Sequence, residues 1–256
     1  MLARSSARLP ASSIRSWCHN SPRSRHLMSA TSALNYPRPI VINPSSGAPT
    51  ATVFFLHGLG DTGEGWSDMG PEFAASLKDV RFIFPTAPRR PITLNYGMSM
   101  PGWYDIPSLN EITSKEDTEG LLESKRYVEQ LINAEVAAGI PSQRIVVCGF
   151  SQGGAIALLM LRSNLKLAGI VGLSTYLPMS KVPGILSDTN KDTPILMCHG
   201  DSDQVVAYQF GRESHSVLTK LGADTDFATF SGMGHSACPA EFKVIKEFLA
   251  KRLPPL

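Results

Sequence analysis

The chain has 256 residues, of which 43% are hydrophobic, 18% charged and 8% aromatic, a composition typical of a folded globular protein. No run of 18 or more residues is continuously apolar, which excludes a membrane-spanning helix. The net charge of +2 is unevenly distributed: residues 1–60 contain six arginines and no acidic residue, whereas residues 61–256 carry 18 basic and 22 acidic side chains. That acidic remainder offers no basic footprint for nucleic acid.

The first 34 residues are rich in Ser and Arg and contain no apolar core of signal-peptide length. They predict a disordered leader that acts as an organelle transit peptide, mitochondrial rather than plastid, and a tail without any targeting role is the alternative. Met28 offers an internal start that would give a shorter form. Residues 35–256 are then expected to form a single domain in the cytoplasm, with a mitochondrial form if the leader is used.

The cysteines are scattered along the chain without any C-x-x-C spacing. They are Cys18, Cys148, Cys198 and Cys238. This pattern predicts neither a zinc site nor a disulfide framework, and it favours a reducing compartment.

Short apolar runs alternate with helical patterns after about residue 50, which is typical of successive βα units around a mostly parallel sheet. The predicted strands are Ala51–Leu56, Val80–Phe84, Arg144–Cys148, Leu167–Leu173, Pro194–Cys198 and Thr225–Phe230. The predicted helices are Thr118–Ala138, Gly153–Arg162, Tyr208–Leu221 and Cys238–Leu253. We find no internal repeat and no interdomain linker, so the expected fold is one α/β domain with helices on both faces of a central sheet.

The helix predicted over 118–138 has the clearest pattern, with Asp117 or Thr118 as its N-cap and Gly139 as its C-cap. Its predicted apolar face comprises Leu121, Leu122, Val128, Leu131, Ile132 and Val136. Two long connections, Pro85–Glu116 and Ser174–Thr193, interrupt the pattern, and such connections are often functional. The first carries the apolar residues Leu94, Tyr96, Met98, Met100, Trp103 and Tyr104, which either pack under the loop or face a ligand.

A possible nucleophile lies in Gly149-Phe150-Ser151-Gln152-Gly153, which matches G-x-S-x-G between a predicted strand and a predicted helix. A turn tight enough to project a serine over the sheet needs small residues two before and two after it, hence Gly149 and Gly153. The N-terminus of the following helix carries unpaired N–H groups and a partial positive charge toward the same place. The motif therefore predicts that Ser151 is a catalytic nucleophile.

A serine nucleophile requires a base and a group that orients the base. In this arrangement the acid precedes the histidine along the chain. Asp201 and Asp203 follow a predicted strand and supply two candidate acids, between which the pattern does not choose. His235 follows the next predicted strand and is the candidate base, whereas His199 is expected to form local hydrogen bonds.

A second glycine-rich turn, His57-Gly58-Leu59-Gly60-Asp61, follows the strand predicted over Ala51–Leu56. It resembles the turns that supply an oxyanion donor, and its alternative interpretation is a plain strand-to-helix turn. The backbone N–H groups of Leu59 and Gln152 would both point to the oxygen that becomes charged when Ser151 attacks a carbonyl group.

Six blocks of sequence together resemble the acyl-protein thioesterase/lysophospholipase family of α/β-hydrolases, also called carboxylesterase type 2. The blocks are HGLGDTGEGW, APRRPITLNYGMSMPGWYDI, GIPSQRIVVCGFSQGGA, LAGIVGLSTYLP, CHGDSDQVV and MGHSACPAE, and the similarity runs from about Pro37 to the C-terminus. The resemblance implies the α/β-hydrolase fold, with Ser151, Asp203 and His235 as catalytic residues and the N–H groups of Leu59 and Gln152 as the oxyanion hole. It thereby selects Asp203 over Asp201.

The resemblance also implies a substrate. Members of the family hydrolyse long-chain thioesters of S-palmitoylated proteins and esters such as lysophospholipids, without a metal or another cofactor. It implies an apolar acyl channel, for which the candidate lining residues are Leu94, Tyr96, Met98, Met100, Trp103 and Val205. The chain departs from the family pattern after the acid, where Gln204-Val205-Val206-Ala207 replaces a segment with two prolines, and it lacks a lipidated cysteine at the extreme N-terminus.

The sequence therefore predicts a serine hydrolase for acyl thioesters, with S-acylated proteins or lysophospholipids as substrates. It is expected to be a monomer or weak homodimer with at most transient contact with a membrane surface. A broad carboxylesterase or lysophospholipase for short or medium chains is the alternative enzyme. A non-catalytic receptor that uses Ser151 and His235 only to bind a ligand is the alternative from another functional class.

Overall fold

A mostly parallel sheet of seven strands forms the centre of the described structure. The strands of the computed structural model are β1 (Ile40–Ile42), β2 (Ala51–Leu56), β3 (Val80–Phe84), β4 (Arg89–Pro91), β5 (Ser99–Pro101), β6 (Ile145–Phe150), β7 (Gly169–Leu173), β8 (Ile195–Gly200) and β9 (Thr225–Phe230). The sheet has the order β1-β3-β2-β6-β7-β8-β9, in which only the edge strand β1 runs antiparallel to its neighbour. β4 and β5 form a separate antiparallel hairpin.

The structure describes residues 34–45, 47–110 and 112–256. The predicted leader, residues 1–34, lies outside this part of the chain except for Leu34, so its targeting role and the position of the start remain predictions. Leu34–Leu256 forms one unit. None of its described helices is both long and apolar enough to cross a membrane.

Helices cover both faces of the sheet, as predicted. They are α1 (Gly63–Ser67), α2 (Gly70–Ser76), α3 (Thr118–Ala137), α4 (Gln152–Leu159), α5 (Tyr208–Lys220) and α6 (Pro239–Arg252). Side chains alternate along each strand, so β2 directs Phe54 toward one core, which includes residues of α3, α4 and α5. It directs Phe55 toward the other core, which includes residues of α2 and α6.

Most predicted boundaries agree with the structure to within two residues. β2, β3 and β9 have the predicted bounds, and β6 and β8 each continue for two residues beyond the predicted end. Asp117 caps α3 by accepting a hydrogen bond from the N–H of Gly120, and Gly139 follows the helix with φ of +100°. Val136 was predicted on the apolar face of α3, but it is 40% exposed. In the last turn of the helix the buried position is that of Glu135, whose carboxylate accepts a hydrogen bond from the Thr52 hydroxyl at 2.6 Å.

Candidate active site

Ser151 lies in a strained turn between β6 and α4. Its backbone has φ of +52° and ψ of −117°, a combination that costs free energy for a residue with a side chain. The two flanking glycines make this turn possible: a Cβ at Gly149 would collide with the backbone of Gly153, and one at Gly153 would collide with carbonyl oxygens at the end of β2. The turn projects the Ser151 hydroxyl beyond the carboxyl end of the sheet.

Neighbouring segments hold this turn in place. The N–H of Ser151 donates to the carbonyl oxygen of Leu173 at 2.8 Å, and the Thr175 hydroxyl donates to the carbonyl oxygen of Ser151 at 2.7 Å. The backbone strain at Ser151 is therefore stabilised from the adjacent strand β7 and the loop after it.

His235 connects Ser151 to Asp203 by two short hydrogen bonds. Its Nε2 lies 2.9 Å from the Oγ of Ser151, and its Nδ1 lies 2.7 Å from Oδ2 of Asp203. The three residues are separated by up to 84 positions in sequence and come from the loops after β6, β8 and β9. The geometry fits an Nδ1–H that donates to the carboxylate and an Nε2 that accepts the serine proton.

Asp203 is held by four groups. Its Oδ1 accepts the N–H groups of Val205 at 2.8 Å and Val206 at 3.0 Å, and its Oδ2 faces both His235 and His199. Burial by itself raises the pKa of this carboxyl group, but the hydrogen bonds from His199 and His235, the charge of His235 and the N–H of Val205 outweigh burial, so the pKa of Asp203 lies below its usual range. Asp203 is thus a carboxylate in the folded protein, as the orienting role requires.

His199 was expected to form only local hydrogen bonds, and it does so beside the candidate acid. Its Nε2 lies 2.9 Å from the carbonyl oxygen of Val206 and 3.3 Å from Oδ2 of Asp203, and the side chain is fully buried. Because both neighbours are acceptors, Nε2 carries the proton. Pattern alone could not reveal this contact, since it depends on the turn that brings Asp203 back over the end of β8.

Asp201, the other candidate acid, binds the backbone of Gly232, whereas His235 is bound by Asp203. The exposed Asp201 carboxylate accepts the N–H of Gly232 at 2.7 Å, and that hydrogen bond lowers the pKa of Asp201. The N–H of Ser202 also donates to the carbonyl oxygen of Met233, at 3.1 Å. Asp201 thereby aligns the turn that carries His235 with the turn that carries Asp203.

The two predicted oxyanion donors both border the cavity above Ser151. Gln152 is the first residue of α4, where backbone N–H groups have no acceptor one turn earlier in the helix. Leu59 lies in the turn after β2 and lines the same cavity. Two candidate backbone donors therefore border the same cavity as Ser151, and their role in stabilising a developing oxyanion remains a prediction.

The side chain of Gln152 has a structural function that the sequence did not reveal. Its Oε1 accepts the N–H of Trp103 at 2.8 Å, and its Nε2 donates to the carbonyl oxygen of Tyr104 at 2.6 Å. The fully buried amide therefore fastens the start of α4 to the long loop between β5 and α3.

An apolar cavity of about 260 Å³ opens above Ser151. Besides Ser151, His235 and the two candidate donors, its lining comprises Gly58 and Asp61 and the mainly apolar side chains of Trp66, Leu94, Tyr104, Ile106, Leu109, Ile112, Phe150, Tyr176, Val205 and Val206. The hydroxyl groups of Tyr104 and Tyr176 lie 2.8 Å apart and satisfy each other, so these tyrosines present mainly their rings. Such a lining favours a hydrocarbon chain over a polar group.

Only part of the predicted acyl-channel set borders this cavity. Leu94 and Val205 do, but the other four candidates do not. Tyr96 and Met98 lie at the tip of the β4–β5 hairpin, 95% and 58% exposed, because the chain reverses there through a left-handed Tyr96. Met100 lies in β5, and Trp103 is fully buried with its Nε1 donating to the carbonyl oxygen of His57 at 2.8 Å.

A metal site and a reactive thiol each require a particular arrangement of side chains. No three His, Cys, Asp or Glu side chains among them are grouped to hold a metal ion. Cys148 and Cys198 are buried, as predicted, and burial raises the pKa of both thiols. These two thiols are therefore poor nucleophiles.

Comparison with known proteins shows the family of the chain. Residues 38–253 match the model of a family described as phospholipase/carboxylesterase. An acyl-protein thioesterase 1 of Neurospora crassa is 46% identical over 227 residues, which cover 85% of this chain and 93% of that protein. The corresponding protein of Mycosarcoma maydis is 45% identical and covers 84% of this chain. The crystal structure of Zea mays acyl-protein thioesterase 2 superimposes with a TM-score of 0.74 at 31% identity, covering 85% of this chain and all of that one.

Proposed function

The chain belongs to the phospholipase/carboxylesterase family of α/β-hydrolases, and we propose that it cleaves long-chain acyl thioesters of S-acylated proteins. One observation carries the proposal: the hydrogen-bonded series Asp203–His235–Ser151 ends at an apolar cavity. The names of the Neurospora crassa and Zea mays relatives support a thioester as the substrate.

The first half of the reaction is acyl transfer to the enzyme. Ser151 Oγ attacks the thioester carbonyl carbon while Nε2 of His235 takes the hydroxyl proton. Asp203 holds the imidazole in the required tautomer and stabilises the imidazolium that forms. The carbonyl oxygen becomes an oxyanion, which can accept hydrogen bonds from the N–H groups of Leu59 and Gln152. When the C–S bond breaks, the acyl group remains on Ser151, and His235 gives its proton to the leaving sulfur, so that a thiol departs and His235 is neutral again.

The second half repeats the same steps with water. His235 removes a proton from water, the hydroxide attacks the acyl carbonyl carbon, and Ser151 recovers its proton as the fatty acid leaves. The acyl chain lies throughout in the cavity lined by residues such as Ile106 and Val206, where its transfer from water is favourable by about 0.8 kcal/mol per buried CH₂ group.

Ester hydrolysis is a second activity of the same site. An alkoxide leaving group needs the proton from His235 more than a thiolate does, because a thiol has a pKa of about 8.5 and leaves readily as an anion. The family description, which includes phospholipase and carboxylesterase, supports lysophospholipids and simple carboxyl esters as further substrates.

A substrate profile tests the proposal. Purified protein is given S-acylated peptides with chains of four to sixteen carbons and the matching esters, and release of thiol or acid is measured. We expect kcat/KM to rise with chain length, and Ser151→Ala to abolish both reactions. A preference for short chains would instead favour a broad carboxylesterase. Absence of turnover with intact ligand binding would favour the receptor.

A further inference from the structure

His57 lies directly behind the candidate oxyanion turn, and its protonation state is fixed by its neighbours. The side chain is fully buried after the end of β2. The N–H of Ala87 donates to Nε2 of His57 at 2.9 Å, so this nitrogen must be an unprotonated acceptor. Burial lowers the pKa of His57, which further favours the neutral ring. The proton therefore resides on Nδ1.

The protonated Nδ1 of His57 faces the carbonyl side of the peptide unit between Gly58 and Leu59. It lies 2.6 Å from the carbonyl oxygen of Gly58, to which it donates. That carbonyl group and the N–H of Leu59 belong to the same planar trans peptide, so they point in nearly opposite directions. A hydrogen bond that fixes the carbonyl oxygen on the buried side therefore fixes the direction of the Leu59 N–H on the cavity side.

We propose that His57 is a positioning residue that aims the Leu59 N–H at the oxyanion. The inference rests on the proposed function and extends it to a residue that does not touch the substrate. The imidazole also polarises the peptide, because a carbonyl group that accepts a hydrogen bond makes the N–H of the same unit a stronger donor.

Hydrogen bonds from elsewhere in the fold hold the two ends of the turn formed by residues 57–60. Trp103 Nε1 donates to the backbone carbonyl oxygen of His57, and the N–H of Gly60 donates to the carbonyl oxygen of Pro101 at 2.9 Å. These bonds hold both ends of the turn but do not involve the Gly58–Leu59 peptide between them. The N–H of Asp61 approaches the same Gly58 oxygen only at 3.3 Å, so the short bond from His57 is the stronger constraint.

Two substitutions separate the hydrogen bonds of His57. The amide nitrogen of Asn in His57→Asn can replace Nδ1 and donate to Gly58, but it cannot reach Ala87. The amide oxygen of Gln in His57→Gln can replace Nε2 and accept from Ala87, but Gln then leaves the carbonyl oxygen of Gly58 without its donor. Both variants place an amide in the same buried position, so each serves as the control for the other.

The rate constants are measured per active site titrated with a fluorophosphonate. We expect His57→Gln to lose roughly 100-fold in kcat with little change in KM, near the low end of the cost of deleting an oxyanion donor. His57→Asn should stay within roughly 10-fold of the wild type. Binding of a long-chain trifluoromethyl ketone, whose adduct carries an oxyanion, should weaken in parallel with kcat/KM. Equal losses in both variants, or normal kcat per titrated site in His57→Gln, would overturn the proposal.

A measurement on the unaltered protein remains if neither variant folds. Nitrogen-15 NMR of the histidine rings should show His57 as the neutral Nδ1–H tautomer, and a charged ring or an Nε2–H tautomer would overturn the proposal. Failure of the proposed function is distinguishable, because it would appear as absence of turnover in the wild type while the tautomer is as expected.

Discussion

Replacement of Glu241 by Gln should remove a pH-dependent weakness of the fold. Glu241 lies in the first turn of α6 and is fully buried, and neither of its carboxyl oxygens has a hydrogen-bond partner among the described residues. Burial raises the pKa of Glu241 to about 8, and the nearby N–H of Cys238 offsets this only in part. The folded protein therefore keeps this side chain protonated at neutral pH.

The sign and size of the effect follow from linkage. Between the usual glutamate pKa of about 4.3 and the raised value, the unfolded chain releases the proton and the folded chain retains it. The free energy of unfolding therefore falls as pH rises through this window and levels off above it. At pH 7.5 the buried Glu241 lowers the free energy of unfolding by about 4 kcal/mol, since each pH unit above the usual pKa of about 4.3 contributes about 1.36 kcal/mol. Glutamine has the same size without an ionisable proton, so Glu241→Gln should recover most of this free energy.

Urea denaturation of the wild type and Glu241→Gln at pH 5 and pH 7.5 measures the effect. The variant should be stabilised much more at pH 7.5 than at pH 5. Glu247→Gln is the matched control on the same helix, because its side chain is 66% exposed and should change stability by less than about 0.5 kcal/mol. Parallel pH dependence in the wild type and Glu241→Gln would refute the reasoning.

Two further predictions concern the catalytic turns. Asp203→Asn should lower kcat roughly 10⁴-fold, because an amide can present its NH₂ group to His235 and favour the wrong tautomer, whereas Asp201→Asn should lower kcat less than about 10-fold. Steady-state kinetics per titrated site checks both, and equal losses would contradict the assignment of the acid. Gly153→Ala should destabilise the protein by roughly 1–3 kcal/mol or more, since the new Cβ meets backbone at the end of β2. Gly234→Ala, where a Cβ meets open space, is the control in thermal denaturation, and similar midpoints for the two variants would refute the steric argument.

The parts of the fold that the sequence predicted are those with long, regular patterns. The buried strands β2 and β3 and the helix α3 were recognisable, because burial imposes apolar runs or helical periodicity. The bounds of β9 were also predicted, although its residues are only half-buried or exposed. The edge strand β1 has three residues, too few for a pattern, and its pairing with β3 is visible only in the structure.

Short elements rich in Gly and Pro were also missed. The sequence of α1 and α2 contains Gly63, Gly65, Gly70 and Pro71, which weaken a helical pattern. The β4–β5 hairpin contains Pro91 and Pro101, and because proline is uncommon inside strands its sequence is typical of a loop. Its tip carries the exposed Tyr96 and Met98, which the resemblance placed among the channel candidates but which do not border the cavity above Ser151.

The sequence could predict those residues of the candidate site that lie in local turns. The glycines around Ser151 identify a strand-to-helix turn, and His235 follows a strand end. The environment of His57 depends instead on a group distant in sequence, the N–H of Ala87 beside its Nε2. The environment of His199 depends on the turn that folds Asp203 back over it. Local pattern carries no information about such contacts.

The most direct test of the account follows the acyl group itself. Wild-type protein mixed with an S-palmitoylated peptide and quenched in acid within milliseconds should carry one palmitoyl ester, which peptide mapping by mass spectrometry should locate on Ser151. The acylated species should disappear as free palmitate accumulates, and Ser151→Ala should show neither the ester nor palmitate. A palmitoyl group on another residue, or continued release of palmitate by Ser151→Ala, would contradict the assignment of Ser151 as the nucleophile.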